Sequence, residues 1–159
     1  MTKEFIHIDE DLPPSSTTTF SLPKNYDYEK IVEQLINELP LRPRCKLTYL
    51  AVPYTHPSKL VRRVRFEEVN KLAAKLINQG YYVFSPITQG HAMAMQNPEL
   101  RTDWEFWKDF NDYMLFQCGT MIVFTLPGWR ESKGLNHEIG FARQQHIPAF
   151  YTKEFFENE

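Results

Sequence analysis

The sequence predicts an α/β domain of three layers, in which helices cover both faces of a parallel sheet of four or five strands. Two observations lead to this prediction. Short apolar segments with the length of strands alternate with longer segments whose apolar residues recur at helical spacing. Each strand segment is also a nearly continuous apolar run, which is typical of strands that are buried on both faces. The chain has 159 residues, 42% of them hydrophobic, enough for one domain with a substantial core.

The amino-terminal part of the chain is expected to lie outside this domain. Residues 11–25 are rich in Pro, Ser and Thr and poor in aliphatic residues, so we predict that residues 1–25 form a flexible segment. Residues 28–39 carry Ile and Leu at helical spacing and end before Pro40. This pattern predicts a short helix within an N-terminal helix and linker at residues 26–45.

The core domain, residues 46–159, is predicted to contain strands and helices in alternation. The order is strand 46–52, helix 58–79 ending at Gly80, strand 81–85, helix 98–118, strand 120–126, helix 133–145 and strand 147–151. This alternation is that of Rossmann-like and flavodoxin-like domains, in which ligands bind beyond the carboxyl ends of the strands. A functional site is therefore expected in the segments that follow the strands.

The composition excludes several classes of protein. A net charge of −2 and a pI near 6.2 give no general attraction for polymeric nucleic acid or for anionic membranes. Cys45 and Cys118 are isolated cysteines without metal-ligand spacing, which indicates buried thiols in a reducing compartment. The sequence has no signal-peptide pattern and no apolar stretch of membrane-spanning length. We therefore expect a cytoplasmic protein that binds no membrane, metal or cofactor.

A glutamate occupies a position in the predicted helix 133–145 where the pattern calls for an apolar side chain. Glu138 lies three residues after Leu135 and four before Ala142, within the apolar stripe of this helix. A buried carboxylate is costly unless it is hydrogen-bonded, paired or protonated. Glu138 is thus either part of a structural network in which its hydrogen bonds are satisfied, or the reactive group of a functional site.

The segment before this helix has the composition of a phosphate-binding loop. Residues 127–134 contain Gly, Ser and Lys and lead directly into the helix. The amino terminus of a helix offers free backbone N–H groups and a partial positive charge, which suit a phosphate. Ser132 is either a phosphate ligand or an N-cap, or both.

Several features of the core domain occur together: the Gly-Leu-x-x-Glu-Ile-Gly-x-Ala pattern of residues 134–142, the Tyr-Leu-Ala of residues 49–51, the third strand segment, and Asp112 in the helix before it. Together they resemble the nucleoside 2-deoxyribosyltransferase-like superfamily, which includes deoxyribosyltransferases and nucleoside 5′-monophosphate N-glycosidases. The resemblance extends over roughly residues 46–151. The segments AVPYTHP and SPI resemble a less characterised, phage-associated branch of that superfamily.

The resemblance implies an active site built around Glu138, which would attack the anomeric carbon or stabilise its positive charge during N-glycoside cleavage. Asp112 corresponds to a second acid near the sugar and the leaving base, Tyr49 to a tyrosine that lines the pocket, and Ser132 to a serine that contacts the 5′-phosphate. From the residues alone, Asp112 is better explained as a solvated helical residue and Tyr49 as a core residue. The loop at residues 53–56 departs from the Gly-rich loop of the monophosphate hydrolases.

Further candidates for substrate binding lie in the segments after the strands. They are Pro53, Tyr54, His56, Lys59, Arg62, Ser85, His91 and Gly134. Loop histidines are usually surface groups, and the arginines of residues 58–79 alternate with glutamates as on a solvated helix face. Each of these candidates therefore also has an ordinary structural interpretation. His137, next to Glu138, is expected to face outward.

The predicted helix 98–118 carries an unusual number of aromatic residues. They are Trp104, Phe106, Trp107, Phe110, Tyr113 and Phe116. Such a helix could stack a nucleobase, although aromatic helices more often form a core or a subunit interface. Because 14% of this small domain is aromatic, we expect a homo-oligomer, most simply a dimer with its sites near the interface.

Two classes of function follow for a small-molecule nucleoside or nucleotide partner. The first is cleavage of the N-glycosidic bond of a nucleoside or (deoxy)nucleoside 5′-monophosphate, by hydrolysis or, alternatively, by transfer of the sugar to another base. The second is a non-catalytic nucleotide-binding module in which Glu138 only hydrogen-bonds a ribose hydroxyl. Hydrolysis is preferred to transfer because the sequence identifies no pocket for a second base.

Overall fold

The computed structural model describes residues 22, 26–39 and 46–152. The helices and strands of these residues are, in chain order, α1 (Tyr28–Glu38), β1 (Leu47–Ala51), α2 (Lys59–Asn78), β2 (Tyr82–Phe84), α3 (Pro86–Gln96), α4 (Trp104–Phe116), β3 (Cys118–Val123), α5 (Lys133–Gln144) and β4 (Ala149–Tyr151). The predicted flexible segment 1–25 lies outside the described residues except for Leu22, as do residues 40–45 of the predicted linker.

The four strands form one sheet in the order β2-β1-β3-β4, and all neighbouring strands are parallel. The predicted three-layer α/β architecture, with a parallel sheet of four or five strands, is confirmed. The chain proceeds from β1 outward to β2 and then returns to β3 on the other side of β1. The strand order therefore reverses between β1 and β3, and at such a point the loops diverge and leave a crevice for a ligand.

Alternating side chains of the strands build one hydrophobic core on each face of the sheet. On one face, Leu50 of β1 and Ile122 of β3 pack with apolar residues of α1 and α2. On the other face, Tyr49 and Met121 pack with apolar residues of α4 and α5. The second core thus holds the helix of Glu138 firmly against the two central strands.

Local sequence signals set the ends of several helices. Asp27, Ser58, Asp103 and Ser132 are N-caps whose side chains accept a hydrogen bond from the backbone N–H three residues later. Gly80 follows α2 with φ of 90°, a left-handed conformation that favours glycine. The predicted cap function of Ser132 is therefore confirmed, and its second predicted function as a phosphate ligand stays a prediction.

The segment after β2 is not the loop that the sequence suggested. Residues 86–91 form the first turns of α3, which begins directly behind Ser85 with Pro86 in its first turn. The helix carrying the aromatic residues begins at Trp104, because Asp103 accepts a hydrogen bond from the Phe106 N–H and caps it there. None of the helices in the described parts of the chain is long and apolar enough to cross a membrane.

Candidate functional site

A cleft opens at the carboxyl edge of the sheet, at the reversal point between β1 and β3. It encloses about 630 Å³ of space, part of which is open to solvent. Its walls come from the loop after β1, from α3, from the start of α4 and from the start of α5; among the lining residues are Tyr54, Thr55, His91, Trp104, Trp107, Asn111, Ser132, Gly134 and Glu138. Five residues predicted from the sequence to form the site therefore line one cleft.

Glu138 is buried, with 8% of its surface exposed, and one of its carboxylate oxygens is held by two donors. The Tyr49 hydroxyl donates to Oε1 over 2.8 Å, and the Asn111 side-chain amide donates to the same oxygen over 3.2 Å. Oε2 makes no hydrogen bond with any of the described residues. The arrangement fixes the carboxylate through one oxygen and leaves the other for a ligand in the cleft.

Burial raises the pKa of Glu138 from its ordinary value of 4.5 to about 7. The hydrogen bonds from Tyr49 and Asn111 favour the ionised form and lower the pKa, whereas the negative charge of Asp112 raises it. Glu138 therefore changes its protonation state close to neutral pH. A carboxyl group in this condition, at the wall of a cleft, has the properties of a catalytic acid, base or nucleophile.

Tyr49 lies behind Glu138 and does not line the cleft. It stands in the centre of β1 with none of its surface exposed, and burial raises the pKa of its hydroxyl well above the ordinary value of 10. The phenol therefore keeps its proton and serves as a hydrogen-bond donor to Glu138. The structure accordingly makes Tyr49 a positioning residue for the carboxylate.

Asn111, which the sequence analysis missed, occupies the place next to Glu138 that Asp112 was expected to fill. It lies four residues after Trp107 and three before Met114, so it belongs to the apolar stripe of α4. A polar residue within an apolar stripe is the same signal that identified Glu138. The sequence of α4 therefore carries this signal for Asn111 as well.

Asp112 instead forms an ion-pair geometry with His137, whose Nε2 lies 2.9 Å and 3.0 Å from the two carboxylate oxygens. The ring of His137 also packs against Trp104, with 4.9 Å between ring centroids. The expectation that His137 faces outward is wrong, because α4 and α5 pack side by side and the histidine lies at their contact. Asp112 does not line the cleft, and it acts on Glu138 through its charge.

The loop after β1 contributes Tyr54 to the cleft. Three other predicted site residues in or near this loop do not line the cleft. Pro53 is buried beneath the loop, the Nδ1 of His56 accepts a hydrogen bond from the backbone of Ser58, and Lys59 is exposed. Each of these residues has a structural role or a surface position in the present arrangement.

Arg62 and Ser85 also lie just outside the cleft lining. The Arg62 guanidinium donates hydrogen bonds to the backbone carbonyls of His56 and Pro57, so it holds the loop after β1 together. Ser85 stands at the start of α3 with its hydroxyl buried and without a hydrogen-bond partner among the described residues.

Arg65 is buried, contrary to the expectation that the arginines of this helix form a solvated face. Its guanidinium donates to the carbonyls of Tyr54 and Thr55 over 3.2 Å and to the carbonyl of Pro127 over 2.8 Å. It thereby joins the loop after β1 to the loop after β3. Gly128 passes so close that a Cβ atom there would lie 2.7 Å from Nη2 of Arg65, and its φ of 86° also favours glycine.

The aromatic residues of α4 divide into two groups. Trp104 and Trp107 line the cleft and give it flat apolar walls on the side of Glu138. The other members, Phe106, Phe110, Tyr113 and Phe116, are exposed, with Tyr113 at 63% and Phe116 at 59%. One helix thus supplies both a wall of the cleft and an aromatic surface next to it.

No three His, Cys, Asp or Glu side chains in the described parts of the chain converge where a metal ion could bind. No curated protein matches the sequence significantly. The region 46–154, more than two thirds of the chain, matches a family over a range that includes all strands of the sheet and all residues lining the cleft. The chain belongs to this family, which is described as "Domain of unknown function (DUF1937)".

Proposed function

We propose that this protein cleaves the N-glycosidic bond of a nucleoside or (deoxy)nucleoside 5′-monophosphate, with Glu138 as the nucleophile. The observation that carries the proposal is the carboxylate of Glu138, which is fixed through Oε1 and has a second oxygen without a protein partner at the cleft. The flat walls formed by Trp104 and Trp107 suit a nucleobase. The resemblance to the nucleoside 2-deoxyribosyltransferase-like superfamily supports the same role, because it implies that a carboxylate at this position is the nucleophile.

The proposed reaction has two steps. In the first step, Oε2 of Glu138 bonds to the anomeric carbon while the bond from that carbon to the base breaks, and its electron pair leaves with the base. The departing base takes up a proton. In the second step, water attacks the anomeric carbon, loses a proton and displaces the carboxylate, which returns Glu138 to its starting form. The ionised carboxylate also stabilises the positive charge of the transition state in both steps.

The residues around Glu138 prepare it for this reaction. Tyr49 and Asn111 hold Oε1, so that the carboxylate does not need to reorient during the attack. In this proposal Asp112 and His137 support the wall of the cleft through Trp104 and add negative charge near the sugar. Their role is indirect, because Asp112 does not line the cleft.

A neutral nucleoside is the preferred substrate within this class. None of the described residues that line the cleft is a lysine or arginine, which a phosphate would favour. If a 5′-phosphate is bound, the amino terminus of α5 with Ser132 and Gly134 is the best available position for it.

The experiment that tests the proposal is base release from a panel of nucleosides and 5′-monophosphates, separated by chromatography. Glu138→Gln keeps the shape of the side chain but removes the charge, so turnover should fall at least about 10²-fold while binding of the substrate persists. Glu67→Gln is a matched control, because Glu67 is exposed on α2 and pairs with Arg63 away from the cleft.

The outcomes separate the remaining alternatives. An added acceptor base that receives the sugar would indicate transfer in place of hydrolysis. If no substrate releases its base, or if Glu138→Gln is as fast as the unaltered protein, the proposal is wrong. Calorimetric binding of a nucleotide without base release would then favour a non-catalytic nucleotide-binding module.

We further propose that the protein forms a homodimer through the exposed aromatic surface of α4, which consists of Phe106, Phe110, Tyr113 and Phe116. Exposed aromatic side chains in one patch are typical of subunit interfaces. Because α4 also lines the cleft, such an interface would lie beside the site. A cytoplasmic location stays a prediction from the sequence.

A further inference from the structure

A second pair of polar side chains lies in the cleft, on walls that do not carry Glu138. Tyr54 comes from the loop after β1 and His91 from α3, and both line the cleft. The Tyr54 hydroxyl lies 2.5 Å from Nδ1 of His91, and the two rings meet edge to face. The proposed reaction of Glu138 assigns no role to this pair.

The chemistry of the two groups determines the direction of this hydrogen bond. A phenol O–H is a better hydrogen-bond donor than an imidazole N–H, and an imidazole nitrogen is a better acceptor than a phenol oxygen. The proton of Tyr54 is therefore directed to Nδ1 of His91, which accepts this hydrogen bond over 2.5 Å. Burial raises the pKa of Tyr54 despite the opposing effect of Arg62, so the hydroxyl keeps that proton.

The state of His91 follows from the same contacts. Burial lowers the pKa of His91, and the positive charge of Arg62 lowers it further, so the imidazole is neutral at neutral pH. A neutral imidazole has one N–H group, and Nδ1 is already an acceptor. The proton must then lie on Nε2, which has no hydrogen-bond partner among the described residues. The His91 ring is also stacked on Phe66, with 4.2 Å between centroids, which fixes its plane.

We propose that His91, oriented by Tyr54 and Phe66, donates a hydrogen bond from Nε2 to the leaving base of the substrate. This role rests on the proposed function of the site. When the bond between the anomeric carbon and the base breaks, the electron pair moves to the base, and its acceptor atoms become more negative. A donor already aimed at one of them is strengthened in the transition state, which speeds the departure of the base. The base then takes its proton from water, and His91 remains neutral.

The first test concerns the protein alone. Long-range ¹H–¹⁵N spectra of the imidazole groups distinguish a histidine protonated at Nε2 from one protonated at Nδ1. We expect His91 to carry its proton on Nε2 in the unaltered protein. In Tyr54→Phe, which keeps the ring but removes the donor, this preference should be lost. A His91 that carries its proton on Nδ1 would overturn the proposal.

The second test compares two leaving groups. One substrate is the nucleoside that the protein cleaves fastest, and the other is the 4-nitrophenyl glycoside of the same sugar, whose nitrophenolate departs without a donor. His91→Phe preserves the stacking on Phe66 but removes the N–H group. It should slow base release about 10²-fold and nitrophenol release less than about threefold.

Controls separate this proposal from the function on which it rests. His146→Asn should leave both rates unchanged, because His146 lies outside the cleft and asparagine tolerates its φ of 56°. Glu138→Gln should abolish cleavage of both substrates. If it does so while His91→Phe slows both substrates equally, the proposed function stands and the role of His91 is wrong. If the unaltered protein cleaves neither substrate, both are wrong.

Discussion

Replacing Glu138 by glutamine should stabilise the protein at alkaline pH and leave its stability almost unchanged at acidic pH. Burial raises the pKa of Glu138 from 4.5 to about 7 in the folded protein, whereas the unfolded chain has the ordinary value. The folded state therefore holds the proton more tightly than the unfolded state does. The favourable contribution of Glu138 to the stability of the folded protein is complete below about pH 4.5 and is lost as the pH rises through about 7.

The size of the effect follows from this difference in pKa. Between pH 4.5 and pH 8.5 the unfolding free energy of the unaltered protein should fall by about 3 kcal/mol because Glu138 ionises. The Glu138→Gln variant cannot ionise at this position, so it should not show this loss. At low pH, glutamine resembles the protonated acid in shape and in its ability to accept from Tyr49. Urea denaturation of both proteins at the two pH values gives the difference in unfolding free energy directly.

Glu67→Gln is the control for this measurement. Its carboxylate is about half exposed and pairs with Arg63 over 2.9 Å, so the substitution should change stability by less than about 1 kcal/mol at both pH values. A stability difference between Glu138→Gln and the unaltered protein that does not vary with pH would refute the reasoning. It would mean that Glu138 ionises in the folded protein as readily as in the unfolded chain.

Three further predictions concern activity and assembly. Tyr49→Phe removes a hydrogen-bond donor to the ionised form of Glu138, so the pKa of Glu138 should rise. The acidic limb of the profile of kcat/KM against pH should therefore shift to higher pH by roughly 1 to 2 units. A profile that falls in height without shifting along the pH axis would contradict this. Ser132→Ala should raise KM for a monophosphate but not for the nucleoside, and an equal effect on both would mean that Ser132 is only a cap. Introducing glutamate at both Tyr113 and Phe116 should convert a dimer into a monomer by light scattering; a persistent dimer would show that the interface lies elsewhere.

The architecture could be predicted because the two central strands, β1 and β3, are buried on both faces. Parallel strands of this kind are short apolar runs, and the helices between them need one apolar stripe each, so both patterns are visible in the sequence. Helix α3 was missed because its periodicity is weak. It contains Gly90 and exposes Met93 and Met95, and its first turn begins at a proline that also suits a loop.

The site could be predicted where a residue contradicts the pattern of its own helix. Glu138 interrupts an apolar stripe, and this conflict is visible without any tertiary information. Arg65 carries the same signal, since it lies four residues after Val61 and four before Val69, but the charged residues around it make it resemble part of a solvated face. The carbonyl of Pro127, which holds its guanidinium, is 62 residues away in the chain. Only the folding of two loops toward one helix makes this arginine buried.

The distribution of unsatisfied polar groups supports the view that the carboxyl edge is the functional part of the molecule. Among the described residues, the buried side-chain atoms without a hydrogen-bond partner are Gln34 Oε1, Arg65 Nε, Ser85 Oγ, Asn111 Oδ1 and Trp129 Nε1. Asn111 lines the cleft and holds Glu138, and Arg65 braces the loops after β1 and β3. Ser85 and Trp129 lie in the segments that follow β2 and β3. Each such atom costs roughly 1 to 3 kcal/mol, in addition to the ionisation of Glu138. A fold that only had to be stable would replace these groups by apolar ones, as it does in both cores. All but Gln34 therefore lie at the carboxyl edge of the sheet, where the proposed chemical task would account for their cost in stability.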